Sequence, residues 1–182
     1  MNRAIFLDRD GTMIADANYL SRPDQIKVFP STRTGLKRLC AAGFKLFIVS
    51  NQSGVGRGYF TMADVDKVNA ALSSGLARDG IRIEKIYVAP EKPGDPSYGR
   101  KPSPQFLFDA RDEFTLDLAQ SFMIGDKLID LECGWNAGVK KSILVRTGYG
   151  AELERKSPGQ LDRAIVLDDL DQVAGWVSGI PW

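Results

Sequence analysis

The chain has 182 residues, 43% hydrophobic and 26% charged, with 24 Lys and Arg against 23 Asp and Glu for a formal net charge of +1. That length fits one domain spanning 1–182 with a substantial core, and the balanced charge gives no long-range field for nucleic acid or an anionic membrane. The lack of histidine excludes imidazole acid–base chemistry, and two cysteines, Cys40 and Cys133, are too few for a tetrathiolate zinc site.

The first apolar run, 3–8, reads as a buried strand, and Asp10-Gly11 marks a turn into a polar stretch reaching about residue 24. Ser31 or Thr32 is placed to cap a helix that reaches Ala42, with Gly43 in the stop position. A strand follows over 45–49, then a Gly-rich loop over 50–58 and a helix capped by Thr61 that runs to about 79. The third strand, 83–88, empties into a Pro- and Gly-rich loop ending at Pro102, and Ser103-Pro104 opens the next helix. Strands over 120–124 and 142–145 bracket a helix over 129–137 that stops at Gly138; segments 164–167 and 170–177 complete the alternation. The apolar runs are too short to cross a bilayer, so a cytoplasmic location is expected. Both cysteines fall in helical pattern and read as buried free thiols.

This alternation predicts an α/β fold, a doubly wound parallel sheet with helices on both faces. Ligands of such sheets sit beyond the C-terminal strand ends. Asp8, Ser50, the loop carrying Arg100-Lys101, and Asp126 all lie at those ends, and Asp130 is one helical turn after Asp126 on the same face. If Asp8, Asp10 and Asp126 converge, two carboxylates about 4 Å apart repel by roughly 4 kcal/mol at an effective dielectric near 20. A hard divalent cation relieves this, and Mg²⁺ is the usual partner of phosphates. The residues leave plainer readings open: Asp10-Gly11 as an ordinary turn, the carboxylates paired with Arg or Lys, and Lys101 as a solvated surface lysine.

Taken together, Asp8-Arg9-Asp10-Gly11-Thr12, Ser50-Asn51, Arg100-Lys101-Pro102, and Gly125-Asp126-Lys127 with Asp130 resemble, in order, the four motifs of the haloacid dehalogenase (HAD) superfamily. The resemblance implies a Rossmann-like HAD phosphatase fold. Asp8 would be the nucleophile that forms an aspartyl phosphate, and Asp10 the general acid and base. It further implies Mg²⁺ held by Asp8, the Asp10 carbonyl and Asp126, and phosphoryl contacts from Ser50 and Lys101. Asp130 would support the metal or Lys101.

The stretch 51–58 and the third and fourth motifs also resemble the branch of that superfamily that dephosphorylates heptose bisphosphates in making nucleotide-activated heptose. That likeness implies substrate contacts from Asp16, Asn18, Tyr19, Asn51, Gln52, Ser53, Arg100 and Lys127, although 16–19 could equally be a solvated loop. No intermotif stretch is long enough for a separate cap domain. Relatives of this kind often carry a zinc loop of three cysteines and a histidine, but Ala89, Glu91, Ser97 and Gly99 stand at the ligand positions here, so no zinc is expected. A small phosphorylated sugar is the expected partner, with no nucleic acid, no membrane and a monomeric chain. Competing readings are a histidinol-phosphate phosphatase, a polynucleotide 3′-phosphatase, a receiver-type phospho-accepting module and a true dehalogenase.

Overall fold

The computed structural model describes residues 1–180. Its centre is β1 (Arg3–Leu7), whose alternate side chains are buried on opposite faces: Ile5 and Leu7 in one core cluster, Ala4 and Phe6 in another. Burial on both faces is what a parallel sheet covered by helices requires. β1 pairs in parallel with β2 (Phe44–Asn51) on one side and β4 (Phe122–Gly125) on the other. With β3 (Ile83–Ala89), β5 (Lys141–Val145) and β6 (Ile165–Leu167), these make a six-stranded parallel sheet of order β3-β2-β1-β4-β5-β6. The order reverses between β1 and β4, the position where doubly wound sheets open a crevice for ligands.

Helices α1 (Pro30–Ala41), α3 (Met62–Ala77) and α7 (Leu170–Ser178) bury Leu36, Leu39, Val68, Leu72 and Val173 against the Ile5–Leu7 face. On the opposite face α4 (Gln105–Phe114) and α5 (Leu128–Ala137) bury Leu107, Ala110 and Cys133 against Phe6, Phe47 and Met123. Two shorter helices, α2 (Ser53–Gly56) and α6 (Gly150–Lys156), follow β2 and β5.

Two local expectations are corrected, and one helix was not expected. Helix α1 begins at Pro30 with Phe29 in the cap position and no side-chain cap, because the Thr32 hydroxyl instead donates to the Met13 carbonyl (2.7 Å) and ties the helix to the β1 loop. Helix α4 starts at Gln105, with Pro104 rather than Ser103 in the cap position. The stretch containing α6 carried no helical signal: seven residues, mostly charged, present only Leu153 to a small cluster with Leu144 and Leu161. Thr61 does cap α3, its hydroxyl accepting from the Asp64 amide. Between β1 and α1, and between β3 and α4, the described residues hold only a three-residue turn, Pro23–Gln25, and isolated bridges. No described helix is long and apolar enough to cross a membrane.

Candidate active site

Strand register brings the acidic residues together. Leu7 is opposite Ile124, and the Asp8 amide extends the ladder by donating to the Ile124 carbonyl (2.9 Å). Asp8 and Asp126 therefore leave adjacent strands almost side by side at the switch point. Two glycines let the loops close over Asp126. A Cβ on Gly11 (φ +89°) would fall 2.2 Å from Asp126 Oδ2, and one on Gly148 (φ +55°) 2.3 Å from it. That oxygen accepts the Tyr149 amide (2.9 Å), whereas Asp126 Oδ1 is buried without a hydrogen-bond partner.

Ligand oxygens of Asp8, Asp126 and Asp130 all lie within 4.8 Å of one another. Three buried carboxylates, one with an orphaned oxygen, fit a hard divalent cation better than any protein donor present. Asp130 also has other work. Its Oδ2 accepts the Lys127 amide (3.0 Å) in the first turn of α5, and its Oδ1 lies 2.7 Å from Lys101 Nζ. Lys101 Nζ donates to Asp8 Oδ1 (2.5 Å), so one fully buried ammonium bridges two carboxylates. Burial alone would lower the Lys101 pKa, but Asp130 and Asp8 outweigh it and raise it above the ordinary lysine value. Burial, reinforced by Asp8, pushes Asp126 up to about 7, and burial also raises Asp130 against the pull of Lys101.

Asp10 sits beside this centre. Its Oδ2 accepts from Gln52 Nε2 (2.9 Å) and Arg9 Nε (3.0 Å), and the same Gln52 nitrogen donates to Ser50 Oγ (2.7 Å). Because Ser50 Oγ is an acceptor there, its own hydrogen is free to donate to a ligand. Burial raises the Asp10 pKa, with Asp8 adding and Arg9 opposing.

A polar cavity of about 280 Å³ opens above these groups. Of the residues expected at the substrate, Asp16, Asn18, Tyr19, Asn51, Gln52, Ser53 and Lys127 line it, and Asp10 reaches it. Asn18 and Tyr19 have positive φ (48° and 65°), with the Asn18 amide donating to Asp16 Oδ1 (3.0 Å). Lys127 Nζ lies 3.4 Å from Asp16 Oδ2 and 4.9 Å from the Tyr149 ring centroid.

Asn51 and Gln52 are likewise engaged with their neighbours. Asn51 accepts the Lys101 amide (3.0 Å) and donates to the Lys101 carbonyl (3.1 Å), fixing the lysine's backbone. Gln52 holds Asp10 and Ser50 as described. Arg100 stands apart from the cavity lining, and its Nη1 donates to the Glu91 carbonyl (2.8 Å). Around it, Ser97 Oγ donates to Glu91 Oε2 (2.7 Å) and accepts the Arg100 amide (3.1 Å). A Cβ on Gly99 would lie 2.5 Å from the Phe106 ring. The four positions considered as zinc ligands thus hold an apolar Ala89, a hydrogen-bonded Glu91–Ser97 pair and a glycine without room for a side chain, a set that does not fit the metal.

Sequence reasoning missed Tyr149, Arg9 and Asn69. Tyr149 follows the end of β5 and could have been found by the strand-end rule. Arg9 lies between the paired aspartates. Asn69, whose Oδ1 accepts from Arg9 Nη1 (2.8 Å), interrupts the otherwise apolar row Val65, Val68, Leu72 and Leu76 of α3.

Comparison with known families agrees with this geometry. A model described as HAD-hydrolase-like matches residues 98–173, and one described as polynucleotide kinase 3 phosphatase matches 3–132. The chain belongs to the HAD superfamily, among its phosphatases. It is 38% identical over 193 residues to a D-glycero-D-manno-heptose-1,7-bisphosphate 7-phosphatase from Chlorobaculum tepidum, covering 98% of this chain and 96% of the relative. A D-glycero-beta-D-manno-heptose-1,7-bisphosphate 7-phosphatase from Haemophilus ducreyi is 35% identical, covering 97% and 98%. The crystal structure of a D,D-heptose 1,7-bisphosphate phosphatase from B. bronchiseptica complexed with magnesium and phosphate superposes with a TM-score of 0.89 at 30% identity, covering 97% of this chain and 98% of that one.

Proposed function

We propose that this chain removes the 7-phosphate of D-glycero-D-manno-heptose 1,7-bisphosphate by way of an aspartyl phosphate on Asp8. The observation that carries the reading is the buried Lys101 ammonium bridging Asp8 and Asp130 beside the unpartnered oxygen of Asp126, with Asp10 in the lining of a polar cavity. Asp8 attacks phosphorus in line, the bond from phosphorus to the sugar oxygen breaks, and Asp10 delivers a proton to the departing alkoxide. Asp10 then takes a proton from water as that water attacks phosphorus, releasing inorganic phosphate and restoring Asp8. The Ser50 hydroxyl and Lys101 bind phosphoryl oxygens, where charge accumulates in the transition state. Asp8, Asp126 and the Asp10 carbonyl would hold Mg²⁺, which when bound neutralises phosphoryl charge.

Asp16, Asn18, Tyr19 and Ser53 meet sugar hydroxyls in this reading, while Lys127 and Arg100 supply positive charge for an anionic substrate. The Asn51 and Gln52 amides act mainly on Lys101, Asp10 and Ser50. We further infer a single domain that works in the cytoplasm as a monomer without zinc. The family match over 3–132 keeps a polynucleotide 3′-phosphatase as the second reading.

A panel assay decides between them: heptose bisphosphate, histidinol phosphate, other sugar phosphates and a 3′-phosphorylated oligonucleotide, each with Mg²⁺ and with EDTA. The heptose ester should give the highest kcat/KM and lose turnover in EDTA. Preference for the oligonucleotide, with strongly salt-dependent binding, would overturn the assignment.

A further inference from the structure

Asp10 presents its two carboxylate oxygens to different surroundings. Oδ2 is crowded by three nitrogens: Arg9 Nη2 (2.9 Å), Arg9 Nε (3.0 Å) and Gln52 Nε2 (2.9 Å). Oδ1 is buried with no hydrogen-bond partner, on a residue that lines the cavity. The donors gathered at Oδ2 hold the carboxyl in one orientation. The Gln52 amide orientation follows from chemistry, since its neighbour is an oxygen already accepting from a guanidinium and must be met by NH₂.

Arg9 imposes most of that asymmetry, and its own orientation is set from outside the catalytic motifs. The side chain is buried, and the nitrogen not directed at Asp10, Nη1, donates to Asn69 Oδ1 on α3 (2.8 Å). Asn69 is itself buried. We infer that Asn69, acting through Arg9, is a positioning residue that fixes the orientation of the Asp10 carboxyl for its exchange with the substrate. This deepens the phosphatase reading and rests on it. In the reaction Asp10 gives its proton to the sugar oxygen as the phosphorus–oxygen bond breaks, and the negative charge left on the carboxyl is held at Oδ2 by Arg9 and Gln52.

The bland alternative is that Asn69 merely satisfies a buried guanidinium and supports folding. Leaving-group chemistry separates the two. A sugar alkoxide needs the Asp10 proton, whereas p-nitrophenolate departs as a stable anion without it. The quantity to read is kcat/KM, which includes phosphoryl transfer to Asp8 but not hydrolysis of the intermediate, the step where both esters share one path.

In Asn69→Leu, kcat/KM for heptose bisphosphate should fall on the order of tenfold or more, while that for p-nitrophenyl phosphate changes less than about threefold. Asn69→Asp, which keeps an acceptor for Arg9, should recover most of the loss on the sugar ester. Equal losses on the two esters, or no loss on either, would overturn the positioning role. The two failures are separable: wild-type protein inert toward both esters overturns the phosphatase reading itself, whereas equal losses in Asn69→Leu leave that reading standing.

Discussion

The acidic centre and the 90–100 loop lie at the same C-terminal edge of the sheet, yet they are held in place by different means. Asp8 and Asp126 leave two central strands that pair along their length, so main-chain hydrogen bonding fixes their separation before any side chain contributes. The loop leaves β3, an edge strand paired only with β2, and is held by single polar contacts: the Gly56 amide to the Pro90 carbonyl, Ser97 to Glu91, and Arg100 to both. The centre therefore tolerates the cost of three buried carboxylates around one lysine, because the sheet supplies the rigidity. Loops of the second kind can exchange one fastening for another while a centre held by the sheet stays in place.

Asp8→Asn is the largest expected break. The amide keeps the shape and much of the hydrogen bonding but is not a nucleophile, so kcat/KM should fall by about 10⁴-fold or more. The thermal midpoint should remain near that of the wild type. Ordinary turnover in this variant would move the chemistry away from β1 altogether.

Lys101→Met strikes the same region through its charge. On the proposed mechanism it removes a donor to the transferring phosphoryl group, for an expected loss of about 10²–10³ in kcat. It also leaves Asp8 and Asp130 buried without their cation, a change that costs about 3–5 kcal/mol when a buried pair is broken. Activity and unfolding midpoint should therefore fall together, unlike Asp8→Asn, and a variant that lost only activity would place the lysine outside the structural network.

The third test uses pH. Burial raises Asp10, Asp126 and Asp130 above the usual carboxylate range, Asp126 to about 7. A carboxyl with a raised folded-state pKa binds more protons folded than unfolded between its two values, so stability falls as pH rises through that window. Metal-free protein should lose thermal stability between the ordinary carboxylate range, about pH 4, and about pH 7. Saturating Mg²⁺ should flatten the dependence by stabilising the ionised carboxylates. A midpoint that rose with pH in EDTA would contradict the placement of these carboxyls.

The comparison also explains what the sequence made legible. Alternating apolar runs mark the strands and the parallel order, and the strand-end rule then locates Asp8, Ser50 and Asp126, because those positions depend on backbone pairing alone, whereas Lys101 lies in the loop after β3 with its backbone held by Asn51. The amides of Asn51 and Gln52 were harder to read: a polar residue beside a cavity can face a ligand or its neighbours, and here both bond to neighbours. Arg9 and Asn69 meet across 60 residues, and nothing local announces the pairing except one asparagine in an apolar helical row. Arg100 was read from its motif, but its contacts belong to the loop, whose path follows from Glu91, Ser97 and the tight packing of Gly99 on Phe106.

The smallest effect is expected at that loop. Glu91→Ala removes the acceptor of the Ser97 hydroxyl, one hydrogen bond worth about 0.5–1.5 kcal/mol. If the pair holds Arg100 for substrate, KM for the heptose ester should rise by about 2–10-fold at unchanged kcat, the equivalent of that energy. Purified wild-type protein should contain no stoichiometric zinc by elemental analysis, and chelators selective for zinc should leave KM alone. Rebuilding a four-ligand site should also fail at Gly99→Cys, because the new side chain must displace Phe106, which stacks on Tyr87 beneath the loop. Zinc bound in the wild type, or a Glu91→Ala variant indistinguishable from it in KM, would mean that the hydrogen-bonded pair does not do the metal's positional work. The loop would then have to be held by its other contacts, among them Gly56 to Pro90, Tyr98 to Asp109 and Gly99 against Phe106.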